Sequence, residues 1–513
     1  MGSLLIAGTT SDAGKTTVVT GLCRWLARQG VRVAPYKAQN MSNNSMVCAD
    51  GTEIGRAQWI QAVAAGAEPE AAMNPVLLKP GSDRRSHVVL MGEPWGELSA
   101  RGFLTERAEL AKAAFAAYDD LASRYDVVIS EGAGSPTEIN LRQSDYVNMG
   151  LAQHTRAPVV VVGDIDRGGV VASMFGTVAL LDAADQALVS GFLVNKFRGD
   201  ASLLQPGIDM LTSVTGRPTY GVLPWLPELW LDSEDALDIP VRRTSSGELL
   251  TIAVVRFPRI SNFTDLDALA AEPTNSVFFT TSPAEVRDAD LVVLPGSRAT
   301  VADLAWLRAQ GLAEALQARA ANRSPVLGIC GGYQMLGSLV SDPDGVETGG
   351  DHPGLGLLPV ATVFGQEKVL ARPARTAYEI HHGVVEVIAG ARSEAGPGAR
   401  GGAGDDARGR GAGGGGAGGG VVDFPGGCRS GNVWGTIWHG LLDDDSARHA
   451  FLGEVAELTG KPAPDGTVSF AGLREERLDR LADMIDEYAD TAALLQLIEH
   501  GAPQVPFVPP GAP

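Results

Sequence analysis

Short apolar runs recur through residues 1 to about 240, each followed by a stretch with hydrophobic positions at helical spacing. The runs are Leu4–Ala7, Val31–Ala34, Val127–Ser130, Val159–Val162 and Gly191–Asn195. Runs this short and continuous predict strands covered on both faces, as in a parallel sheet. Between the first two, Thr16–Gln29 predicts a helix that Gly30 stops. The alternation is that of a doubly wound α/β domain, expected over residues 1–240. A polar stretch, Arg242–Glu248, predicts a linker, and Thr251–Phe257 opens a second α/β series with buried strands at Leu291–Leu294 and Val326–Ile329. This second domain is expected over 250–450.

Residues 391–420 interrupt it. They are almost all Gly, Ala, Arg and Asp and hold too little apolar surface to offset their ordering entropy, so a flexible surface insertion is expected. Strand pairing should resume near Val421, ahead of Gly431–Trp438. From Phe451 the pattern turns helical, and Leu473–Leu497 predicts one packing helix. Residues 451–513 are expected as a helical C-terminal extension with a mobile Pro-rich tail from Pro503.

At 513 residues the chain exceeds what one core supports, so at least two domains are required. No charge-free apolar run of about 18 residues occurs, and no basic stretch precedes the first apolar run. The net charge of -20 disfavours nonspecific binding to nucleic acid or an anionic membrane. Four scattered cysteines, Cys23, Cys48, Cys330 and Cys428, lack metal-ligand spacing and fit a reducing cytoplasm.

Two motifs carry chemistry. Residues 4–17 end in Gly-Lys-Thr-Thr directly after a strand, the mark of a phosphate-binding loop. Gly8, Thr9, Thr10, Asp12, Ala13, Gly14, Lys15, Thr16 and Thr17 are its candidate ATP-binding residues. Backbone N–H groups at the following helix N-terminus would converge on phosphate, and Lys15 would reach the terminal phosphates. Thr9 stands where the common pattern has its first glycine, and Gly8 lies one residue earlier. Mg²⁺ would sit on Thr16, with Glu131 and Asp50 as further candidate ligands. Asp50 reads equally well as an ordinary turn aspartate.

The second motif is Gly328-Ile-Cys-Gly-Gly332, straight after Pro325-Val-Leu327. A strand that turns sharply into a helix lifts a nucleophile from the sheet edge, here Cys330. Cys23 and Cys48 lack that setting and read as core, and Cys428 is left unassigned. A thiolate also needs a base and oxyanion donors. Gly331 offers one backbone N–H, and the Leu294-Pro-Gly-Ser297 turn offers a second, from Gly296 or Ser297. Among the eight histidines, His439 follows a strand-like run and is favoured as the base. His381 and His382 compete; His87, His154, His352, His449 and His500 have no comparable context.

At these residues the chain resembles the cobyric acid synthase family, glutamine-dependent amidases of cobalamin biosynthesis. Ala34-Pro-Tyr-Lys-Ala-Gln-Asn-Met-Ser42, Asn74-Pro-Val-Leu-Leu-Lys-Pro80 and Glu131-Gly-Ala-Gly-Ser-Pro136 carry the likeness. So do Asp164-Ile-Asp-Arg-Gly-Gly169, Asn195-Lys-Phe-Arg-Gly-Asp200 and Tyr378-Glu-Ile-His381. It extends to about residue 450 outside the insertion. It implies a dethiobiotin-synthetase-like P-loop domain followed by a class I glutamine amidotransferase-like domain. The implied reaction is amidation of the b, d, e and g carboxylates of adenosylcobyrinic acid a,c-diamide, each using ATP and glutamine. Lys37, Gln39 and Asn40 would bind substrate. The partners would be small molecules: corrinoid, ATP and glutamine. Many class I amidotransferases place a glutamate two residues after the histidine, where this chain has Leu441. The resemblance therefore implies a Cys330–His439 dyad, with nothing named to orient the histidine.

Three other readings compete. A cobyrinic acid a,c-diamide synthase shares both domains, but Pro-Tyr-Lys-Ala-Gln-Asn-Met and Asp-Ile-Asp-Arg-Gly-Gly argue against it. A P-loop positioning ATPase would carry a lysine five residues before Lys15, where this chain has Thr10. An inactive amidotransferase module would not need both Cys330 and His439.

Overall fold

The computed structural model describes residues 2–82, 85–99, 103–226, 249–388 and 421–510. The linker expected at 242–248 and the insertion expected at 391–420 lie outside the described residues. The chain divides into two compact units. The first holds Met1–Ala236 together with Ser469–Pro513, and the second holds Leu237–Val468.

In the first unit, β1 (Gly2–Gly8) leads through the phosphate loop into α1 (Lys15–Arg28). Then come β2 (Val33–Tyr36), β3 (Val127–Glu131), β4 (Val159–Asp164), β5 (Val189–Phe197) and β6 (Thr219–Pro224). They form one parallel sheet in the order β6-β5-β4-β1-β3-β2. Each apolar run expected as a strand lies in this sheet, with its ends shifted by at most two residues. A second sheet, in the order Gln39–Met41, Val76–Ser82, Arg85–Leu90, Glu93–Ser99, was not expected. It carries the polar residues that follow β2.

The second unit is built on β7 (Leu250–Val255), β8 (Asn275–Thr280), β9 (Leu291–Leu294) and β10 (Val326–Ile329). Next come α2 (Gly331–Leu336), β11 (Val422–Phe424), β12 (Gly427–Ser430) and β13 (Val433–Thr436). The sheet order is β8-β7-β9-β10-β13-β12-β11, parallel from β8 to β13 and antiparallel at the β12 and β11 edge.

The C-terminal segment corrects the expected organisation. Helix Asp445–Thr459 belongs to the second unit, and residues 469–513 return to the first. Leu473–Leu497 is not one helix. It lies in α3 (Phe470–Tyr488) and α4 (Thr491–His500), broken at Ala489, with Asp490 capping α4 through the Ala493 N–H. The break coincides with a bridge from Ala489 to Gly221 and a 2.6 Å hydrogen bond from the Asp490 N–H to the Tyr220 carbonyl. Leu478, Leu481, Ile485, Leu494 and Ile498 join the core around Val18, Leu22 and Leu26. Gly21 lets α3 approach α1 closely, since a Cβ there would lie 2.8 Å from Ile485 and 2.9 Å from the Leu481 carbonyl. Nor is the tail loose up to Val508. Val508 is buried and exchanges two hydrogen bonds with the Gln186 amide at 2.8 and 2.9 Å, and Arg217 donates to the Pro506 carbonyl at 3.1 Å.

No helix among the described residues is long and apolar enough to cross a membrane. Leu481 is fully buried between α3 and α1. Leu481→Ala is expected to cost the first unit about 2–5 kcal/mol in urea unfolding. An unchanged midpoint would show that α3 adds nothing to that core.

Candidate active sites

In the first unit, β1 must turn at once into α1, and the loop uses left-handed backbone to do so. Asp12 has φ 56° and Gly14 φ 94°. A side chain at Gly14 would overlap the Asn195 amide. Gly8 explains the shifted glycine, because a Cβ there would lie 2.9 Å from both the Lys15 ammonium and the Thr10 carbonyl. Lys15 folds back over the loop and donates to the carbonyls of Thr10 (2.9 Å) and Gly134 (3.2 Å). The Thr9 N–H is held by the Val162 carbonyl at 2.9 Å, and Thr17 lies half-buried in the first turn of α1. The Ala13 carbonyl accepts from Asn195 at 3.0 Å, and the Asp12 carbonyl from Lys196 at 2.7 Å. Lys196 also donates to Asp164 at 2.8 Å. Asn195, Lys196 and Asp164, at the ends of β5 and β4, are thus supports of the loop for which sequence reasoning named no role.

Glu131, at the end of β3, is completely buried. Its Oε1 accepts from Thr16 Oγ1 at 3.0 Å and from Lys37 Nζ at 2.8 Å, and its Oε2 accepts from Gln61 at 2.6 Å. Burial opposes its charge, but Lys37, Gln61 and Lys15 outweigh that and hold its carboxyl below the usual range. Thr16 and Glu131 therefore present two hard oxygen donors side by side in a place that already accommodates a cation, which fits Mg²⁺. Asp50 does not join them. It is exposed, and its carboxylate accepts the N–H (3.0 Å) and hydroxyl (2.6 Å) of Thr52 in a turn. This corrects its candidacy as a ligand: a short acid in a Gly-containing turn is satisfied locally. No cluster of three or more metal-binding side chains occurs among the described residues. Gln39 is half-buried and accepts from the Tyr146 hydroxyl at 2.5 Å; Asn40 is buried and donates to Gln58 at 3.0 Å. Of the three residues expected to bind substrate, Lys37 and Asn40 are both buried with polar partners in the interior, and Gln39 is half-buried.

In the second unit, β10 turns into α2 at Cys330, which has φ 49° and ψ -110°. A non-glycine residue held there is strained, as in a nucleophile elbow. Its neighbours must be glycine: a Cβ at Gly328 would lie 2.5 Å from Leu336, and one at Gly332 would overlap the Leu294 carbonyl. A Cβ at Gly331 would come 2.9 Å from the Ser297 nitrogen, and one at Gly296 would come 2.9 Å from the His439 ring. The Pro295–Ser297 segment, whose Gly296–Ser297 forms a short strand beside Ile260–Ser261, therefore lies against both Cys330's neighbour and His439.

His439 is fully buried and pinned. It exchanges backbone hydrogen bonds with Tyr378 at 2.9 and 3.0 Å, and the two rings stack at 5.2 Å. Its Nδ1 meets Asp265 Oδ2 at 2.6 Å, while Asp265 Oδ1 accepts the Gly440 N–H at 2.7 Å. Nε2 has no hydrogen-bond partner of ordinary geometry among the described residues, and Cys330 is within interacting reach of the ring. Burial disfavours the imidazolium, but Asp265 and Cys330 outweigh it and lift the ring from 6.5 to about 10. The expected dyad with an unnamed orienter is thus corrected: Asp265 orients His439. His381 bonds instead to Glu379 at 3.2 Å, and Glu379 also accepts from Trp438 at 2.7 Å. Cys23 and Cys48 are core residues, and Cys428 is buried with Tyr333 donating to it at 3.4 Å.

A nucleotide-binding unit joined to a thiol–histidine–acid unit defines a glutamine amidotransferase-type ligase. Residues 4–238 match the CobQ/CobB/MinD/ParA nucleotide binding domain, and residues 251–447 match the CobB/CobQ-like glutamine amidotransferase domain. Over its whole length the chain is 58% identical to the cobyric acid synthases of Mycolicibacterium vanbaalenii and Mycobacterium marinum, and it covers all of each. It is 56% identical to that of Mycobacterium tuberculosis, again over the full length of both. The chain belongs to the cobyric acid synthase family.

Asp265→Asn is expected to lower glutaminase turnover on the order of 10³- to 10⁴-fold by losing the histidine's orientation and charge partner. A raised histidine stabilises the fold fully below its unfolded value of 6.5 and loses that contribution as pH climbs through about 10. Urea unfolding between those pH values should therefore show a slope that Asp265→Asn flattens. Unchanged turnover and slope would remove Asp265 from the site.

Proposed function

We propose that the protein amidates the b, d, e and g carboxylates of adenosylcobyrinic acid a,c-diamide, using ATP and glutamine, to give adenosylcobyric acid. The reading rests on full-length identity of 58% to cobyric acid synthases, with both sets of reacting groups present in this chain. Cys330, as thiolate, attacks the glutamine carboxamide carbon. The oxyanion forms against the N–H of Gly331 and the Gly296–Ser297 segment. The His439 imidazolium, held by Asp265, gives its proton to the departing ammonia, and water then hydrolyses the thioester to glutamate. In the first unit the γ-phosphoryl group of ATP passes to a substrate carboxylate, with Lys15 and the loop N–H groups balancing the developing charge. Ammonia then attacks the acyl phosphate and phosphate leaves. Thr16 and Glu131 would hold Mg²⁺, which neutralises phosphate charge when bound. The four cysteines form no disulfide among the described residues, consistent with a reducing, cytoplasmic setting.

The test is mass spectrometry of the corrinoid after incubation with ATP, Mg²⁺ and a nitrogen donor. Cys330→Ser is expected to abolish product from glutamine and keep product from ammonium salt; loss of both would contradict a role confined to releasing ammonia. Lys15→Ala is expected to abolish product from either donor, and ammonia-dependent synthesis at saturating ATP would overturn its assignment.

The metal reading makes its own forecast. In calorimetric titrations Glu131→Gln is expected to weaken Mg²⁺ binding in the presence of ADP, whereas Asp50→Asn leaves it unchanged. The reverse pattern would exchange their roles.

A further inference from the structure

Lys37 shares one Glu131 carboxylate oxygen with Thr16, the residue that would hold Mg²⁺ together with Glu131. Glu131 Oε1 already accepts from Thr16 and Lys37, and Oε2 accepts from Gln61. Two acceptor directions per carboxylate oxygen leave Oε1 full. A metal ion arriving there must displace a donor. The Thr16 hydroxyl can keep its place by turning a lone pair to the metal, but an ammonium has only donors and cannot. Two cations on one buried oxygen also repel strongly.

We infer that Lys37 is a resident counterion of Glu131 that Mg²⁺ displaces, freeing the ammonium for the substrate carboxylate. The inference rests on Thr16 and Glu131 being the metal ligands. The backbone at Lys37 stays put, because its N–H bonds the Met73 carbonyl at 2.9 Å and its carbonyl accepts from Asn74 at 3.2 Å. Only the side chain swings. Lys37 is 4% exposed and paired with Glu131, and so held it offers little charge to an incoming carboxylate. Once metal and nucleotide load, that charge becomes available to a carboxylate or acyl phosphate at the same strand ends. The exchange imposes an order: nucleotide and metal first, carboxylate second.

The experiment titrates Mg²⁺ into the full chain at saturating ADP, which lacks the γ-phosphate that Lys37 could itself touch. Lys37→Met and Lys37→Gln are expected to bind Mg²⁺ about tenfold more tightly than the wild type, because the competing cation is gone. Unchanged or weaker binding in either folded variant would overturn the exchange. Should neither variant fold, amine-reactive labelling of the wild type, read by peptide mass spectrometry, decides it. Labelling of Lys37 is expected to rise several-fold on adding Mg²⁺ and ADP, and unchanged labelling would overturn the inference. If Glu131→Gln leaves Mg²⁺ binding unaltered, the ligand reading itself fails. If Glu131→Gln weakens binding but the Lys37 variants do not tighten it, only the exchange fails.

Discussion

A parallel strand that must become a helix within a few residues cannot do so with ordinary backbone, and both chemistries use that constraint. At the end of β1 the turn is made by Asp12 and Gly14, at φ 56° and 94°. At the end of β10 it is made by Cys330 itself, at φ 49°. In the first case left-handed backbone shapes a loop whose N–H groups converge on phosphate. In the second, strain holds a thiol at the tip of an elbow. Each turn then demands room around it, which is why Gly8, Gly14, Gly328 and Gly332 have neighbours where a Cβ would collide. The parallel sheets, covered on both faces, supply the rigidity that makes such turns persist.

Buried charge is the second theme, and each unit resolves it by pairing. Glu131 is compensated by Lys37, Gln61 and Thr16, and Asp265 by His439 and the Gly440 N–H. Leaving one partner of such a set unpaired typically costs several kcal/mol. The same pairing tunes reactivity. Asp265 keeps His439 charged across neutral pH, so the ring can stabilise a thiolate and later protonate the departing ammonia.

What the sequence made legible was local. β1, β4 and β10 were readable because their apolar runs are continuous, and Lys15, Thr16 and Cys330 because a strand–turn–helix is written in adjacent residues. Asp265 was not, since it precedes His439 by 174 positions. It lies in a short 3₁₀ helix, Phe263–Leu266, after β7, and such an acid looks like any surface acid in sequence. Searching two residues past the histidine presumed a local partner, whereas triad order along the chain differs between folds. Asp50 failed in the opposite way, because a turn acid beside glycine resembles a ligand until its bonds to Thr52 are seen. The break at Ala489 and the docking of Val508 depend on Gly221, Tyr220 and Gln186, far away in sequence, so helical periodicity and proline content could not reveal them.

The central claim is that ammonia released at Cys330 is the nitrogen that enters the acyl phosphate. The direct measurement is isotopic: amide-¹⁵N glutamine is supplied as the only added nitrogen donor, and the amidated corrinoid is weighed and fragmented. The account predicts ¹⁵N in the amides formed at the b, d, e and g positions. Product carrying mainly unlabelled nitrogen would contradict it.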